Sequence, residues 1–286
     1  MRFCSVQHNG SWHTGVLDSD ISETLLVYPA SAGLVDDIIT AGGLDTGIKP
    51  IAEILISDAK LGAPIQRWHK NVLCVGWNYW EHFEESRGER EGQDPEERPT
   101  HPTFFTKSPH VVIGPNDLIE CDFKISEQWD YEAEVAIVIG RAGKNISESD
   151  ALDHVFGLTL ANDVSARDVQ RAHGGQWFKG KSIDRTMPLG PWITTLDEVN
   201  DLGEVRIECE LNGEVLQDAL LNQMAFPLSS IIAELSRGMT LDAGDVILTG
   251  TPRGVGNARD PKIFLKSGDD LVTRATGLGV LKNQIL

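Results

Sequence analysis

One segment limits the possible folds more than any other, because it combines a strand-forming apolar run with two acids. It reads Asp130-Tyr131-Glu132-Ala133-Glu134-Val135-Ala136-Ile137-Val138. Its β-branched, apolar content predicts a core strand over residues 131–140. Residues two apart on a strand point to the same face, so Glu132 and Glu134 project together. Two adjacent buried carboxylates are costly without a cation. The segment therefore predicts a divalent-metal site or, alternatively, a solvated strand face.

The rest of the chain is also richer in strand patterns than in helix patterns. The 28 glycines among 286 residues indicate many turns. Strands are predicted over 71–76, 154–160, 205–211 and 246–249, with an Asn212-Gly213 hairpin turn after the third. Helices are predicted over 31–41 and 48–59, from about 77 to 85, and over 227–237. These patterns predict a β-rich α+β fold, with a small N-terminal α/β domain (1–68) followed by a main domain (69–286).

The charge balance excludes several classes of partner. The net charge of -18 repels nucleic acid phosphates and anionic lipid headgroups, so neither nucleic acid nor membrane is an expected partner. A metal ion or a lysine can still invert the field at one site, so a small anionic substrate remains compatible. The first residues have no apolar signal core, and Val135–Ile139 is too short to span a bilayer. These features predict a cytoplasmic protein.

The four cysteines predict buried, reduced thiols. No Cys-x-x-Cys pair is present, which argues against a structural zinc site and against a disulfide framework. The residues concerned are Cys4, Cys74, Cys121 and Cys209.

Three further motifs carry candidate site residues. Asp163, at the end of an apolar run, precedes Arg167 and Gln170 by four and seven residues, the spacing of one helix face. A helix cap at Asp163 paired with Arg167 is the alternative. Lys181 follows a glycine and is suited to hold an anionic oxygen, unless it lies in a surface turn. Thr251 belongs to a Gly-rich loop whose amides can bind a carboxylate, although a plain tight turn also explains the glycines.

A histidine and a glutamate three residues apart form the last candidate pair. On one helical turn, His82 and Glu85 can act as a base and its orienting partner, or they can be a simple surface pair. Segment 86–100 follows them and has almost no apolar content. It is predicted to be a solvated loop or a mobile lid that becomes ordered when substrate binds.

Taken in order, these segments resemble the fumarylacetoacetate hydrolase superfamily over about residues 70–280. The resemblance implies the family's mixed β-sheet roll, a homodimer, and a Mg²⁺, Mn²⁺ or Ca²⁺ cofactor. It implies metal ligands Glu132, Glu134 and Asp163, substrate contacts Arg167, Gln170 and Thr251, and catalytic residues His82, Glu85 and Lys181. Segment 86–100 is longer than expected for compact members. The matching stretches are 76–79 with His82, 130–134, 162–168, 179–182 and 249–252.

The chemistry implied is metal-dependent hydrolysis of a carbon–carbon bond in a diketo acid such as an acylpyruvate or fumarylpyruvate. Carboxylate ligands favour a hard ion over zinc. His82, held by Glu85, would activate water, Lys181 would stabilise the oxyanion, and the ion would stabilise the enolate charge. The same enolate arises in oxaloacetate decarboxylation and in the enol–keto isomerisation of a 2-hydroxy-dienoate, so both remain alternatives. A catalytically silent ligand-binding scaffold is the alternative from another class, and clustered buried charge argues against it.

Overall fold

The computed structural model describes residues 1–17, 23–87 and 95–286. Strands dominate these ranges, as predicted, and the α+β class is confirmed. The strands are β1 (Arg2–His8), β2 (Ser11–Leu17), β3 (Thr24–Val27), β4 (Ala52–Leu55), β5 (Lys60–Gly62), β6 (Val72–Gly76), β7 (Thr103–Lys107), β8 (Val112–Ile113), β9 (Trp129–Asp130), β10 (Ala133–Ile139), β11 (Val155–Asn162), β12 (Ser165–Ala166), β13 (Met187–Thr195), β14 (Arg206–Leu211), β15 (Glu214–Leu220), β16 (Val246–Leu248), β17 (Asp270–Ala275) and β18 (Gly279–Gln284).

Five α-helices in the described ranges connect these strands or cover them. They are short, and the longest has nine residues. They are α1 (Val35–Ala41), α2 (Trp80–Glu85), α3 (Arg167–Ala172), α4 (Phe178–Lys181) and α5 (Leu228–Ser236).

A 12-stranded mixed sheet forms the centre of the molecule. Its strand order is β4-β3-β2-β1-β13-β11-β10-β16-β6-β7, with β5 paired to β1 and β8 paired to β13. A 4-stranded sheet of order β15-β14-β17-β18 and a 2-stranded sheet of β9 and β12 complete the architecture. All seven residues of β10 are buried, because this strand lies in the middle of the large sheet.

The two faces of β10 contribute to different cores. Val135 and Ile137 belong to the larger apolar cluster, which also holds residues of the 4-stranded sheet and α5. Ala136 and Val138 point to the opposite face, in a cluster that includes Ile38 of α1. Every position of β10 after Glu134 is therefore apolar, as expected for a strand covered on both sides.

The N-terminal strands extend the same sheet. β1 pairs with β13 through Arg2 opposite Thr194 and Phe3 opposite Ile193. A small apolar cluster that includes Cys4 and Leu25 lies within this part of the chain. The division into domains at residue 68 stays a prediction, as does the homodimer.

Most predicted elements are present, and one is wrong. The helix predicted over 48–59 is absent, because 52–55 forms β4, which pairs with β3 and alternates between partly buried and exposed residues. Such a period-two strand is hard to distinguish from a short helix in a brief apolar run. The helix over 31–41 is confirmed in part, as α1 after a 3-10 turn at 30–32. The Asn212-Gly213 turn joins β14 to β15, with both residues at positive φ.

The charged segment 86–100 is described only at its ends, since residues 88–94 lie outside the described residues. The Arg87 guanidinium donates to the carbonyl oxygen of Glu96 over 2.6 Å. Arg98 donates to Glu84 over 3.0 Å and lies 5.2 Å from the centre of the Trp80 ring. Both ends therefore contact α2 or the residues just after it. The lid function stays a prediction.

Two further expectations concern the whole molecule. All four cysteines are buried and free, as predicted. Within the described ranges, no helix is both long and apolar enough to cross a membrane.

Candidate metal centre and active site

Three buried carboxylates meet where β10 begins and β11 ends. Ligand oxygens of Glu132, Glu134 and Asp163 all lie within 4.8 Å of one another. The antiparallel pairing of Ala133 with Asn162 causes this proximity, since it aligns the start of one strand with the end of the other. The Asp163 amide also donates to the Glu132 carbonyl over 2.8 Å. Strand pairing thus brings together the residues that the resemblance assigned as metal ligands.

Two buried lysines lie against this carboxylate cluster. The Lys181 ammonium is 2.6 Å from Glu132 Oε2 and 2.7 Å from Asp163 Oδ2. Burial alone would lower the pKa of Lys181, but the charges of Asp163 and Glu132 outweigh it and raise that pKa. Lys107 contacts the other Asp163 oxygen and donates to the Val164 carbonyl over 3.1 Å.

Sequence reasoning missed Lys107 altogether. This lysine is fully buried at the end of β7, whose sequence is Thr-Phe-Phe-Thr-Lys. A lysine that closes an apolar strand was the available signal, because Lys is rarely fully buried without a partner.

Arg167 connects the carboxylate cluster to a fourth acid, Asp130. Its Nε lies 2.8 Å from Asp130 Oδ2, and another guanidinium nitrogen lies 2.6 Å from Glu132 Oε1. Asp130 also accepts hydrogen bonds from the amides of Gly256 and Asn257 over 2.7 and 3.0 Å. Asp130 therefore holds Arg167 in place, a role that its position in the sequence motif did not reveal.

The predicted placement of Asp163 and Arg167 on one helix face is wrong, and so is the alternative in which Asp163 caps the helix and pairs with Arg167. Helix α3 begins at Arg167, with Ala166 as its N-cap, and the chain between Asp163 and Arg167 includes the extended pair β12. A four-residue spacing corresponds to one turn only inside a helix. Asp163 pairs with Lys107 and Lys181 instead. Gln170 does lie on α3 and accepts from Arg167 over 3.3 Å.

The charges around the three carboxylates are unevenly balanced. Burial would raise the pKa of Glu132, but Lys181 and Arg167 hold that pKa well below its usual range. Burial, followed by the charges of Asp163 and Glu132, raises the pKa of Glu134 well above its usual value. Glu134 accepts a hydrogen bond from the Gly250 amide over 2.6 Å, which is a neutral donor.

A divalent cation would supply the positive charge that Glu134 needs. An all-carboxylate donor set suits a hard ion such as Mg²⁺, Mn²⁺ or Ca²⁺. The residues present at this site therefore fit the divalent ion that the resemblance implies.

His82 and Glu85 form a hydrogen-bonded pair on α2. His82 Nδ1 lies 2.9 Å from Glu85 Oε1. The amide of Gly254 donates to both Glu85 oxygens, at 2.9 and 2.8 Å. His82 is 7% exposed and lines the same pocket as Glu132 and Lys181. Because Nδ1 is engaged by Glu85, Nε2 is the nitrogen left for a ligand in the pocket.

Aromatic rings form one wall of this pocket. The Trp77 and Trp177 rings meet edge to face with centres 4.6 Å apart, and Phe105 is 5.0 Å from Trp177. The Lys181 ammonium lies 5.1 Å from the centre of the Phe105 ring. These rings come from three separate segments, so no local sequence pattern places them together at the site.

Thr251 also lines the pocket, but its hydroxyl already has protein partners. It donates to the Ala133 carbonyl over 3.0 Å and accepts from Gln217 Nε2 over 2.8 Å. Gln217 in turn accepts from the Ala133 amide over 2.9 Å. The Gly-rich loop is thereby fixed to the start of β10, between Glu132 and Glu134. Substrate binding by Thr251 stays a prediction.

Comparisons with known proteins agree with this fold. The profile of the fumarylacetoacetate hydrolase C-terminal family matches residues 71–286. The oxaloacetate tautomerase YisK of Bacillus subtilis is 43% identical over 230 residues, covering 80% of this chain and 74% of the relative. The mitochondrial oxaloacetate tautomerase fahd2 of Xenopus laevis is 42% identical over 231 residues, covering 80% and 69%.

Solved structures show the same likeness over the whole chain. A fumarylacetoacetate hydrolase from Exiguobacterium antarcticum superposes with a TM-score of 0.85 at 35% identity, covering 100% of this chain and 99% of that one. A 2-hydroxyhepta-2,4-diene-1,7-dioate isomerase from Mycobacterium marinum gives 0.78 at 30% identity, covering 100% and 98%. A mixed-sheet fold and a buried carboxylate cluster suited to a divalent ion thus define the class of enzyme. This chain belongs to the fumarylacetoacetate hydrolase family.

Proposed function

We propose that the protein is a divalent-metal-dependent tautomerase that interconverts the keto and enol forms of a small 2-oxo acid, with oxaloacetate as the first substrate to test. The observation that carries this proposal is the placement of His82, oriented by Glu85, in one pocket with Lys181 and the carboxylate cluster. Two relatives are named oxaloacetate tautomerases and one solved structure is named an isomerase, which supports this chemistry. One solved structure is named a hydrolase, so carbon–carbon hydrolysis is the second candidate.

Glu132, Glu134 and Asp163 are the residues that would hold the ion. A bound Mg²⁺ or Mn²⁺ supplies Lewis-acid stabilisation of negative charge on a substrate oxygen. Lys181 would neutralise the excess carboxylate charge, since it contacts Glu132 and Asp163 directly.

The proton transfer is assigned to His82. Nε2 takes a proton from C3 of the 2-oxo acid, the C–H electron pair becomes the C2–C3 double bond, and the carbonyl pair moves to the C2 oxygen. Lys181 donates a hydrogen bond to that oxygen as its charge develops. Transfer of the proton from His82 Nε2 to that oxygen gives the enol and regenerates the base, and the reverse steps return the keto form. A positioned base contributes about 10²- to 10⁴-fold to such a step.

The direct test follows the ultraviolet absorbance of enol-oxaloacetate as it converts to the keto form. We expect added Mg²⁺ to accelerate the decay and excess chelator to abolish the acceleration. His82→Ala should lose about 10²-fold or more. His154→Ala is the matched control, since His154 does not line the pocket. Decay at the uncatalysed rate with Mg²⁺ present would contradict the proposal.

Carbon–carbon hydrolysis of a diketo acid is the second candidate, because the His82–Glu85 pair can equally position a water molecule. Acetylpyruvate, assayed with Mg²⁺ and then with chelator, tests it. Pyruvate released from oxaloacetate in the tautomerase assay would reveal decarboxylation at the same site. Chelator-sensitive cleavage of acetylpyruvate, with no effect on enol decay, would favour the hydrolase over the tautomerase.

A further inference from the structure

The glycine that holds Glu85 is itself held at its carbonyl oxygen. The Tyr131 hydroxyl donates to the Gly254 oxygen over 3.0 Å, and Arg259 Nε donates to the same oxygen over 3.1 Å. The Gly254 amide meanwhile donates to both Glu85 oxygens, and Glu85 contacts His82. A chain of hydrogen bonds therefore runs from Tyr131 to the candidate base.

Tyr131 reaches this glycine from the segment that carries the metal-ligand candidates. It lies between Asp130 and Glu132, in the link from β9 to β10, and its side chain is fully buried in the larger apolar cluster. A phenylalanine would supply the same apolar area, so the hydroxyl is the part of the side chain that needs a partner. It has that partner 123 residues further along the chain, at Gly254.

Gly254 needs restraint because of its own backbone. Its φ of +105° and the nearby Leu216 carbonyl exclude a side chain, and glycine is the residue with the greatest backbone freedom. Hydrogen bonds to its oxygen limit that freedom. Arg259 also donates to the Leu216 carbonyl over 2.6 Å, which joins the loop to β15. The direction of the Gly254 amide, and with it the position of Glu85, follows from these bonds.

The tautomer of His82 depends on the position of Glu85. An ionised carboxylate only accepts hydrogen bonds, so Glu85 selects the ring form that carries its proton on Nδ1. That form leaves the Nε2 lone pair available to take a proton. In the other neutral form, Nε2 carries the proton and cannot act as a base. A shift of the Gly254 amide would therefore reduce the fraction of His82 that is ready for catalysis.

We propose that Tyr131 is a positioning residue for the general base, and that it acts through Gly254 and Glu85 to keep His82 in its Nδ1-protonated form. This inference rests on the proposed function. Tyr131 is not among the described residues that line the pocket, so its hydroxyl affects the reaction indirectly. Segment 130–134 would then organise both halves of the site, the carboxylates that suit a cation and the base.

The first test is Tyr131→Phe, which removes the hydroxyl and keeps the ring. We expect kcat for enol-oxaloacetate conversion to fall about 3- to 10-fold, which is the loss expected for one neutral hydrogen bond. KM should change by less than about twofold, because the ligand contacts remain. Tyr28→Phe is the matched control and should keep the wild-type kcat, since Tyr28 packs against the other apolar cluster, away from the pocket lining.

A double-mutant cycle with Glu85→Gln distinguishes positioning from a general loss of structure. If the hydroxyl acts through Glu85, Tyr131→Phe should cost less than about twofold in kcat once Glu85 has been replaced. A structural defect would instead multiply the two losses. Equal effects of Tyr131→Phe in the two backgrounds would overturn the inference.

Nitrogen NMR of the histidine rings tests the positioning without relying on catalysis. Protein with isotope-labelled histidine nitrogens is measured at about pH 8.5, where an imidazole is ordinarily neutral, and His82→Ala identifies the His82 signals. Tyr131→Phe should move these signals from the Nδ1-protonated form toward the other tautomer. If they move but the wild type does not accelerate enol decay, the tautomerase is wrong and the positioning role stands. If the wild type catalyses and Tyr131→Phe leaves both kcat and the signals unchanged, the positioning role is wrong.

Discussion

Glu85 and Gly254 are joined although 169 residues separate them, because the Gly254 amide lies 2.9 and 2.8 Å from the two Glu85 carboxylate oxygens. Gly254 has a φ of +105°, and a Cβ there would lie 2.1 Å from the Leu216 carbonyl oxygen. Only glycine fits at that position. The Gly-rich loop, noted in the sequence as a possible anion-binding loop, thus orients the carboxylate that holds His82.

Replacing Glu85 by Gln tests this relationship. The amide keeps the side-chain shape but removes the negative charge. It also replaces one of the two oxygens that face His82 and the Gly254 amide with an NH₂ group. We expect kcat for enol-oxaloacetate conversion to fall about 10- to 100-fold with little change in KM, because orientation of the base is lost while the ligand contacts remain. Glu81→Gln on the same helix, with a 64% exposed side chain, is the control. A Glu85→Gln variant with wild-type kcat would contradict the role.

Removing one carboxylate of the cluster should separate metal binding from folding. Glu134→Gln retains an oxygen acceptor for Gly250 and relieves repulsion with Glu132 and Asp163. We therefore expect the thermal midpoint without metal to stay the same or rise. The free energy of unfolding of the wild type should rise by about 2.7 kcal/mol when Mg²⁺ is at 100 times its dissociation constant. The variant should gain almost nothing.

The matched measurement for that variant is calorimetric titration with Mg²⁺. A Glu134→Gln variant that binds Mg²⁺ as tightly as the wild type would show that Glu134 is not a ligand.

Lys107 should contribute to stability through its pairing with Asp163. In Lys107→Met the Asp163 carboxylate keeps Lys181 but loses its other cation in a fully buried position. Removing one partner of a buried ion pair costs about 3–5 kcal/mol. We expect a loss of that order in the free energy of unfolding, measured by urea denaturation without metal.

The double variant Lys107→Met with Asp163→Asn supplies the control. It also removes the carboxylate charge that Lys107 helped to neutralise, and should recover much of the lost stability. If the double variant is less stable than Lys107→Met alone, the pairing is not the source of the effect.

Buried thiols should make the protein sensitive to alkali. Burial raises the pKa of Cys4 from 9.0 to about 12. Between these values the unfolded state has released the thiol proton and the folded state retains it. The unfolded state then binds fewer protons, so the free energy of unfolding falls as pH rises through this window and is unaffected by this group below about pH 9.

The measurement compares urea denaturation at about pH 8 and about pH 10.5. Between these two pH values, the free energy of unfolding should fall less in Cys4→Ala than in the wild type. The small cavity that the substitution creates should lower the stability equally at both pH values. Ser57→Ala, an exposed change, should match the wild type. Equal losses in Cys4→Ala and the wild type would rule out this thiol as a contributor.

Local patterns in the sequence were enough to predict β10, β11, the Asn212-Gly213 hairpin and helix α5. Each of these depends on periodicity or turn chemistry within a few residues. The Glu132–Glu134 spacing similarly predicted two carboxylates on one face. The helix expected over 48–59 failed because pairing with β3 determines the conformation of that short run.

The candidate site shows where local patterns stop being informative. The sequence by itself determined which side chains are available: two acids two apart on an apolar strand, and a histidine one helical turn before a glutamate. Only the tertiary structure decided that Asp163 pairs with Lys107 and Lys181 rather than with Arg167, and that Gly254 holds Glu85. Charge pairing in a buried site depends on distances between segments far apart in the chain. Those distances follow from strand pairing and packing, which no local spacing encodes.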